Sequence, residues 1–158
     1  MIDRRSFLTR LAGVAVAGAG ARRLWAQLPL LEGGGTPITV YKSKSCGCCA
    51  KWVDYLSGAG FSPTVYDQED MDSIKDSLGV PSELRSCHTA VLDRYLIEGH
   101  VPATDIRRLS AGKSKLQGLA VPGMPPGTPG MAPAGAPIEG FEVIGFSSNG
   151  SRSTFARY

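Results

Sequence analysis

Pro37-Ile38-Thr39-Val40-Tyr41-Lys42-Ser43-Lys44-Ser45-Cys46-Gly47-Cys48-Cys49-Ala50-Lys51-Trp52 passes from one chain geometry to another. Its β-branched opening, Pro37 to Tyr41, predicts a strand. Lys42 to Gly47 is a polar loop. From Cys48 to Ala59 the apolar positions Trp52, Val53 and Leu56 follow helical spacing, and Gly58 and Gly60 close the run. Working outward, Pro63 to Asp67 predicts a second strand. Met71, Ile74 and Leu78 are spaced for a second helix that ends at Gly79. Cys87-His88-Thr89-Ala90-Val91-Leu92 leads into a third strand, and Tyr95 to His100 a fourth, with Asp93-Arg94 as the turn. Thr104 to Ser110 predicts a short helix capped by Thr104.

The tail has a different composition. Gly118 to Pro137 contains six Pro and five Gly in 20 residues, which predicts a loop with neither helix nor central strand. Phe141 to Phe146, Asn149-Gly150 and Ser151 to Tyr158 then predict a β-hairpin. The class is α/β, and the order β-α-β-α-β-β-α resembles the thioredoxin-like fold, extended by a Pro/Gly-rich loop and a C-terminal β-hairpin.

Residues 1–26 stand apart. Arg4-Arg5 precedes a short apolar run, Leu11 to Ala21, and Leu24-Trp25-Ala26 offers a cleavage point. The run is about half the roughly 20 residues that span a bilayer, which predicts a removable export signal and no stable membrane insertion after cleavage. Arg4-Arg5 followed by Phe7-Leu8 resembles a twin-arginine signal, with Asp3 and Thr9 departing from that pattern. The segment holds five Arg and one Asp, so the remaining 132 residues carry a net charge of −1. No basic footprint for nucleic acid survives. Residues 27–36 are a flexible lead-in, and residues 37–158 form a single domain.

All four cysteines fall in that domain. Cys46, Cys48 and Cys49 stand where the first helix begins, and free N–H groups and the helix dipole there favour thiolates. Lys42, Lys44 and Lys51 would offset accumulated negative charge. In the thioredoxin-like pattern Cys87-His88-Thr89 occupies the stretch that faces the redox pair, which sets Cys87 against the Cys46–Cys49 loop. Four readings compete. Two structural disulfides suit an exported chain, but three cysteines within four residues close loops too short to restrict the unfolded chain. A thiol–disulfide oxidoreductase would use Cys46 and Cys49. A structural zinc site suits four thiolates, though paired knuckles are absent. Soft-metal binding, with copper as Cu(I) foremost, suits densely packed thiolates best. His88, His100, Met124 and Met131 are accessory candidates. The acidic stretch Asp67, Glu69, Asp70, Asp72 and Asp76 lacks the spacing of a calcium loop and predicts a solvated face.

Val40-Tyr41-Lys42, Cys46-Gly47-Cys48-Cys49-Ala50-Lys51-Trp52 and Ser86-Cys87-His88-Thr89-Ala90 together resemble the CopG-type periplasmic copper-resistance family. Gly99-His100-Val101-Pro102-Ala103, Gly118 to Pro125 and Gly127-Thr128-Pro129-Gly130-Met131 extend the resemblance over most of residues 37 to 158. It implies a thioredoxin-like fold in the periplasm and a cysteine-bridged cluster of several copper ions. It also implies Cu(I)/Cu(II) redox during detoxification, alongside other periplasmic copper-handling proteins. Carried over by position, the ligands would be Cys46, Cys48, Cys49 and Cys87.

Overall fold

A computed structural model describes residues 34–158. The export segment and most of the lead-in lie outside the described residues. The elements run β1 (Thr36–Ser43), α1 (Gly47–Gly58), β2 (Phe61–Gln68), α2 (Met71–Leu78), β3 (His88–Leu92), β4 (Tyr95–Glu98), α3 (Ala103–Ala111), β5 (Gly118–Ala120), β6 (Glu142–Phe146) and β7 (Arg152–Arg157). The strands form one mixed sheet in the order β2-β1-β3-β4-β5-β6-β7. β1 and β2 are parallel, as the helical crossover between them requires. β3 runs antiparallel to both β1 and β4. Pro63 is tolerated inside β2 because that strand is an edge. No described helix is long and apolar enough to cross a membrane.

Alternation along the strands divides the core between two faces. Ala90, Leu92, Tyr95, Ile97 and Leu119 join Trp52 and Leu56 of α1 and Ile106 and Leu109 of α3 in the larger cluster. Leu96, Ala120 and Phe146 face the other way, with Val80, Leu84 and the half-buried Leu78 and Val91. α2 covers part of this second face in an unusual manner: Met71, Ile74 and Leu78 are only half-buried, and its buried residue is Lys75.

Three expectations are corrected. The Pro/Gly-rich stretch does contain a central strand, because Gly118-Leu119-Ala120 carries no proline and β4 and β6 flank it. Gly118 is what permits this, since a Cβ there would lie 2.1 Å from the Leu96 carbonyl oxygen. α3 begins one residue before Thr104, with Pro102 in the capping position and no side-chain cap. Proline holds the extended backbone that precedes a helix without needing a donor. The C-terminal hairpin forms, but around Ser148, Asn149 and Gly150: Ser147 N–H donates to Ser151 O at 3.0 Å, and Gly150 N–H donates to Ser147 O.

The acidic stretch has separate local tasks. Asp70 caps α2 by accepting from Ser73 N–H at 3.0 Å, and the Ser73 hydroxyl, with that backbone bond, holds its carboxyl below the usual range. Asp72 and Asp76 pair with Arg85.

Candidate metal centre

The turn out of β1 is closed by Cys46 N–H on Ser43 O at 3.0 Å. Cys46 is then the N-cap of α1, in extended conformation and with no side-chain cap. The helix that follows carries no acidic residue in its first turn, so its positive end acts on the sulfurs alone. Cys49 is fully buried at the start of the face that continues through Trp52 and Leu56. Cys46 and Cys49 are joined as a disulfide, while Cys48 and Cys87 are free and half-buried. Cys48 Sγ lies 3.5 Å from Cys46 Sγ.

Cys87 enters from the other side of the chain, one residue before β3. The sulfurs of Cys46, Cys48, Cys49 and Cys87 all lie within 4.8 Å of one another. The four cysteines expected to converge do so. Burial, reinforced by the neighbouring Cys48, pushes the Cys87 thiol up to about 12. In the metal-free chain Cys87 is therefore a protonated thiol at neutral pH.

A second donor group shares this sulfur. Cys87 Sγ is 3.3 Å from His88 Nδ1 and 3.2 Å from His100 Nε2. Both imidazoles are fully buried. His100 Nδ1 lies 2.6 Å from the Pro129 carbonyl oxygen, which can only accept. His100 therefore donates from Nδ1 and turns the lone pair of Nε2 to Cys87. Burial lowers His100, and burial, with the Lys75 ammonium nearby, holds His88 well below the ordinary range. Both rings are neutral, the form in which imidazole binds metal. His88 Nε2 is the one buried side-chain nitrogen or oxygen without a partner among the described residues.

The surroundings are packed around these rings. Trp52 lies against His88 with centroids 4.3 Å apart and donates its indole N–H to Val101 O at 3.0 Å. His100 meets His88 edge-on at 5.0 Å. The Pro/Gly-rich loop closes over α1 through Gly130, where a Cβ would lie 2.8 Å from Trp52 N and 3.1 Å from Cys48 O. Gly130 also adopts φ +83°, which other residues rarely do.

The remaining candidates are placed less centrally. Met124 is 55% exposed. It follows Gly123, whose N–H donates to Arg85 O and whose carbonyl accepts the Ser86 hydroxyl. Met131 is half-buried in an open groove of about 590 Å³ beside Lys51, Asp54 and Tyr55. The expectation for Lys42 is corrected: its ammonium is held by Asp67 at 2.8 Å. Lys44 and Lys51 are exposed. The sequence reading missed Trp52 as a wall of the site, Pro129 as the partner of His100, and the pair Lys75–Glu98. A two-residue turn at Asp93-Arg94 already implies that Thr89 faces Glu98, but nothing local brings Lys75 of α2 to that carboxylate.

The donor set is soft sulfur with imidazole nitrogen, which favours copper and zinc over hard cations. A family model described as a protein of unknown function, DUF411, matches residues 84–131, the span holding Cys87, His88, His100, Met124 and Met131. No curated protein matches the chain. The chain is similar to the solved structure "Copper resistance protein copG- Form 1", with 41% identity, 78% of this chain and 98% of that chain covered, and a TM-score of 0.72. It is similar also to "Copper resistance protein copG- Form 2", with 42% identity, coverage of 77% and 97%, and a TM-score of 0.72. With that identity sustained over nearly the whole length of both structures, the chain belongs to the CopG-type family of copper-resistance proteins.

Proposed function

We propose that this protein handles copper in the periplasm, holding Cu(I) in a thiolate cluster formed by Cys46, Cys48, Cys49 and Cys87. The observation that carries this reading is the convergence of four sulfurs within 4.8 Å; with the Cys46–Cys49 bond reduced, four thiolates at that spacing are well matched to a soft monovalent ion. His100 fits an accessory ligand, because a metal-binding imidazole commonly donates its other N–H to a carbonyl, as His100 does to Pro129. His88 offers a second neutral nitrogen. Met124 and Met131 would add thioethers from the Pro/Gly-rich loop.

The disulfide gives the site a redox partner for its cargo. Two thiolates, Cys46 and Cys49, can give one electron each to two Cu(II) ions, yielding two Cu(I) ions and the Cys46–Cys49 disulfide. The reverse reaction returns both thiolates to the cluster; in the disulfide form Cys48 and Cys87 are the free thiols. The framework suits this use: β2-β1-β3-β4, with β1 parallel to β2 and antiparallel to β3, is the strand arrangement of a thioredoxin-like domain. We assign the fold accordingly.

Protein purified anaerobically, reduced and loaded with Cu(I) should retain several copper ions per chain through desalting. Stoichiometric zinc with no retained copper would sink the reading. The disulfide also supports a second reading, a thiol–disulfide oxidoreductase using Cys46 and Cys49. Copper-free protein that reduces insulin disulfides at turnover, even with Cys48→Ser and Cys87→Ser, would favour it. Arg4-Arg5 ahead of the apolar run supports export by the twin-arginine route. The periplasmic protein should then begin at Gln27 on N-terminal sequencing, and an intact Met1 in the cytoplasmic fraction would contradict it.

A further inference from the structure

Lys75 and Glu98 form a buried ion pair, 3% and 0% exposed, at 2.6 Å. Charges are seldom buried this fully, and an apolar pair of similar volume often serves stability as well or better. Stability alone therefore does not account for them. Their contacts point elsewhere. Glu98 lies directly across the β3–β4 ladder from Thr89, and its Oε2 accepts the Thr89 hydroxyl at 2.6 Å. Lys75 also donates to Thr89 Oγ1 at 2.9 Å. The remaining bond leaves the sheet: Glu98 Oε1 accepts the backbone N–H of Ser86 at 2.6 Å.

Ser86 is the residue before Cys87, and β3 begins only at His88. Cys87 thus has no place in the β1–β3 or β3–β4 ladder. Behind it, His88 O is held by Gly99 N–H at 3.0 Å. Ahead of it, Ser86 is held by Glu98 and by the contact of its hydroxyl with Gly123 O. One carboxylate thereby ties α2, β3 and β4 to the segment that presents the sulfur.

We propose that Glu98, itself held by Lys75 and Thr89, is a positioning residue that sets where the Cys87 sulfur stands relative to Cys46, Cys48 and Cys49. The role rests on the copper–thiolate reading, since a displaced Cys87 would open the cluster. It requires a hydrogen-bond acceptor at position 98 and not a charge, which makes it separable from the ion pair.

Two double variants separate the cases, each removing both charges so that none is left buried alone. Glu98→Leu with Lys75→Met removes the acceptor. Glu98→Gln with Lys75→Met keeps an amide oxygen for Ser86 N–H. Site-resolved alkylation of the reduced, copper-free chain by iodoacetamide reports Cys87 against Cys48, and competition with a Cu(I) chelator reports copper affinity. In the Leu/Met variant, still melting cooperatively, the alkylation ratio should shift and Cu(I) affinity should fall by about tenfold or more, the range for residues that orient metal ligands. The Gln/Met variant should restore both. A Leu/Met variant with native ratio and native affinity overturns the proposal. If that variant does not fold, hydrogen exchange on the native chain decides. The Ser86 amide should be protected like those inside β3, and exchange at the rate of an exposed loop overturns the proposal. Should the native chain retain no copper, the copper reading falls, while the alkylation ratio still tests the positioning.

Discussion

Replacing Cys87 by Ser should lower Cu(I) affinity by about 100-fold or more, beyond the 10- to 100-fold typical of residues that only orient ligands. The melting temperature of the copper-free chain should barely move. Cys87 is the one cysteine contributed from outside the α1 turn, and its sulfur is the atom on which the two donor groups meet. Without it, Cys46, Cys48 and Cys49 would face His88 and His100 across a gap, and the site would open on the β3 side. A serine hydroxyl is nearly isosteric but is a hard, protonated oxygen that Cu(I) does not favour. The half-buried position and the absence of a disulfide to Cys87 explain the small stability effect. Chelator competition on the reduced chain checks the first half, and thermal melts check the second. Retention of native affinity by Cys87→Ser would remove this residue from the ligand set and leave the α1 turn to act alone.

Trp52→Ala should cost about 4 kcal/mol, the range for emptying a large aromatic site in a core. That is a large part of the 5–15 kcal/mol that holds an ordinary domain together. The indole is fully buried at the meeting of α1 with the sheet. Its removal leaves a cavity and strips the Val101 carbonyl of its donor. The same ring backs His88, so the variant should also loosen the imidazole beside Cys87. Trp52→Phe refills part of the volume without the N–H. It should recover most of the loss, short by about 1 kcal/mol for the missing hydrogen bond. Urea midpoints with an unchanged slope measure both. A Trp52→Ala midpoint close to native would show that the core does not rest on this side chain.

α2 was legible to the residue, because Met71, Ile74 and Leu78 repeat at helical spacing and Gly79 ends the run. β3 and β4 were legible because a two-residue turn separates two apolar runs. β5 was not. Three residues bounded by a proline-rich loop carry no periodic signal, and they become a strand only because β4 and β6 supply partners. The start of α3 was misplaced because threonine is the commoner cap, whereas Pro102 takes the position with its fixed extended backbone and no side-chain cap.

The site divides along the same line. Sequence alone determined the chemistry: four thiols, two imidazoles, and two of the thiols placed by spacing in the first turn of a helix. Those are properties of residue type and local spacing, and no fold can remove them. Tertiary structure decided which groups share a point in space. It joined Cys46 to Cys49 and left Cys48 and Cys87 free. It turned His100 toward Cys87 by engaging its other nitrogen with Pro129, a residue 29 positions away in the chain. It took Lys42 away to Asp67 and buried Lys75 against Glu98. The Cys46–Cys49 bond spans only three positions at the start of α1; the others depend on how distant segments are brought together and on which face a side chain leaves the sheet. A shift of one residue would reverse every such face, so contacts of this kind are settled only when the whole sheet is assembled.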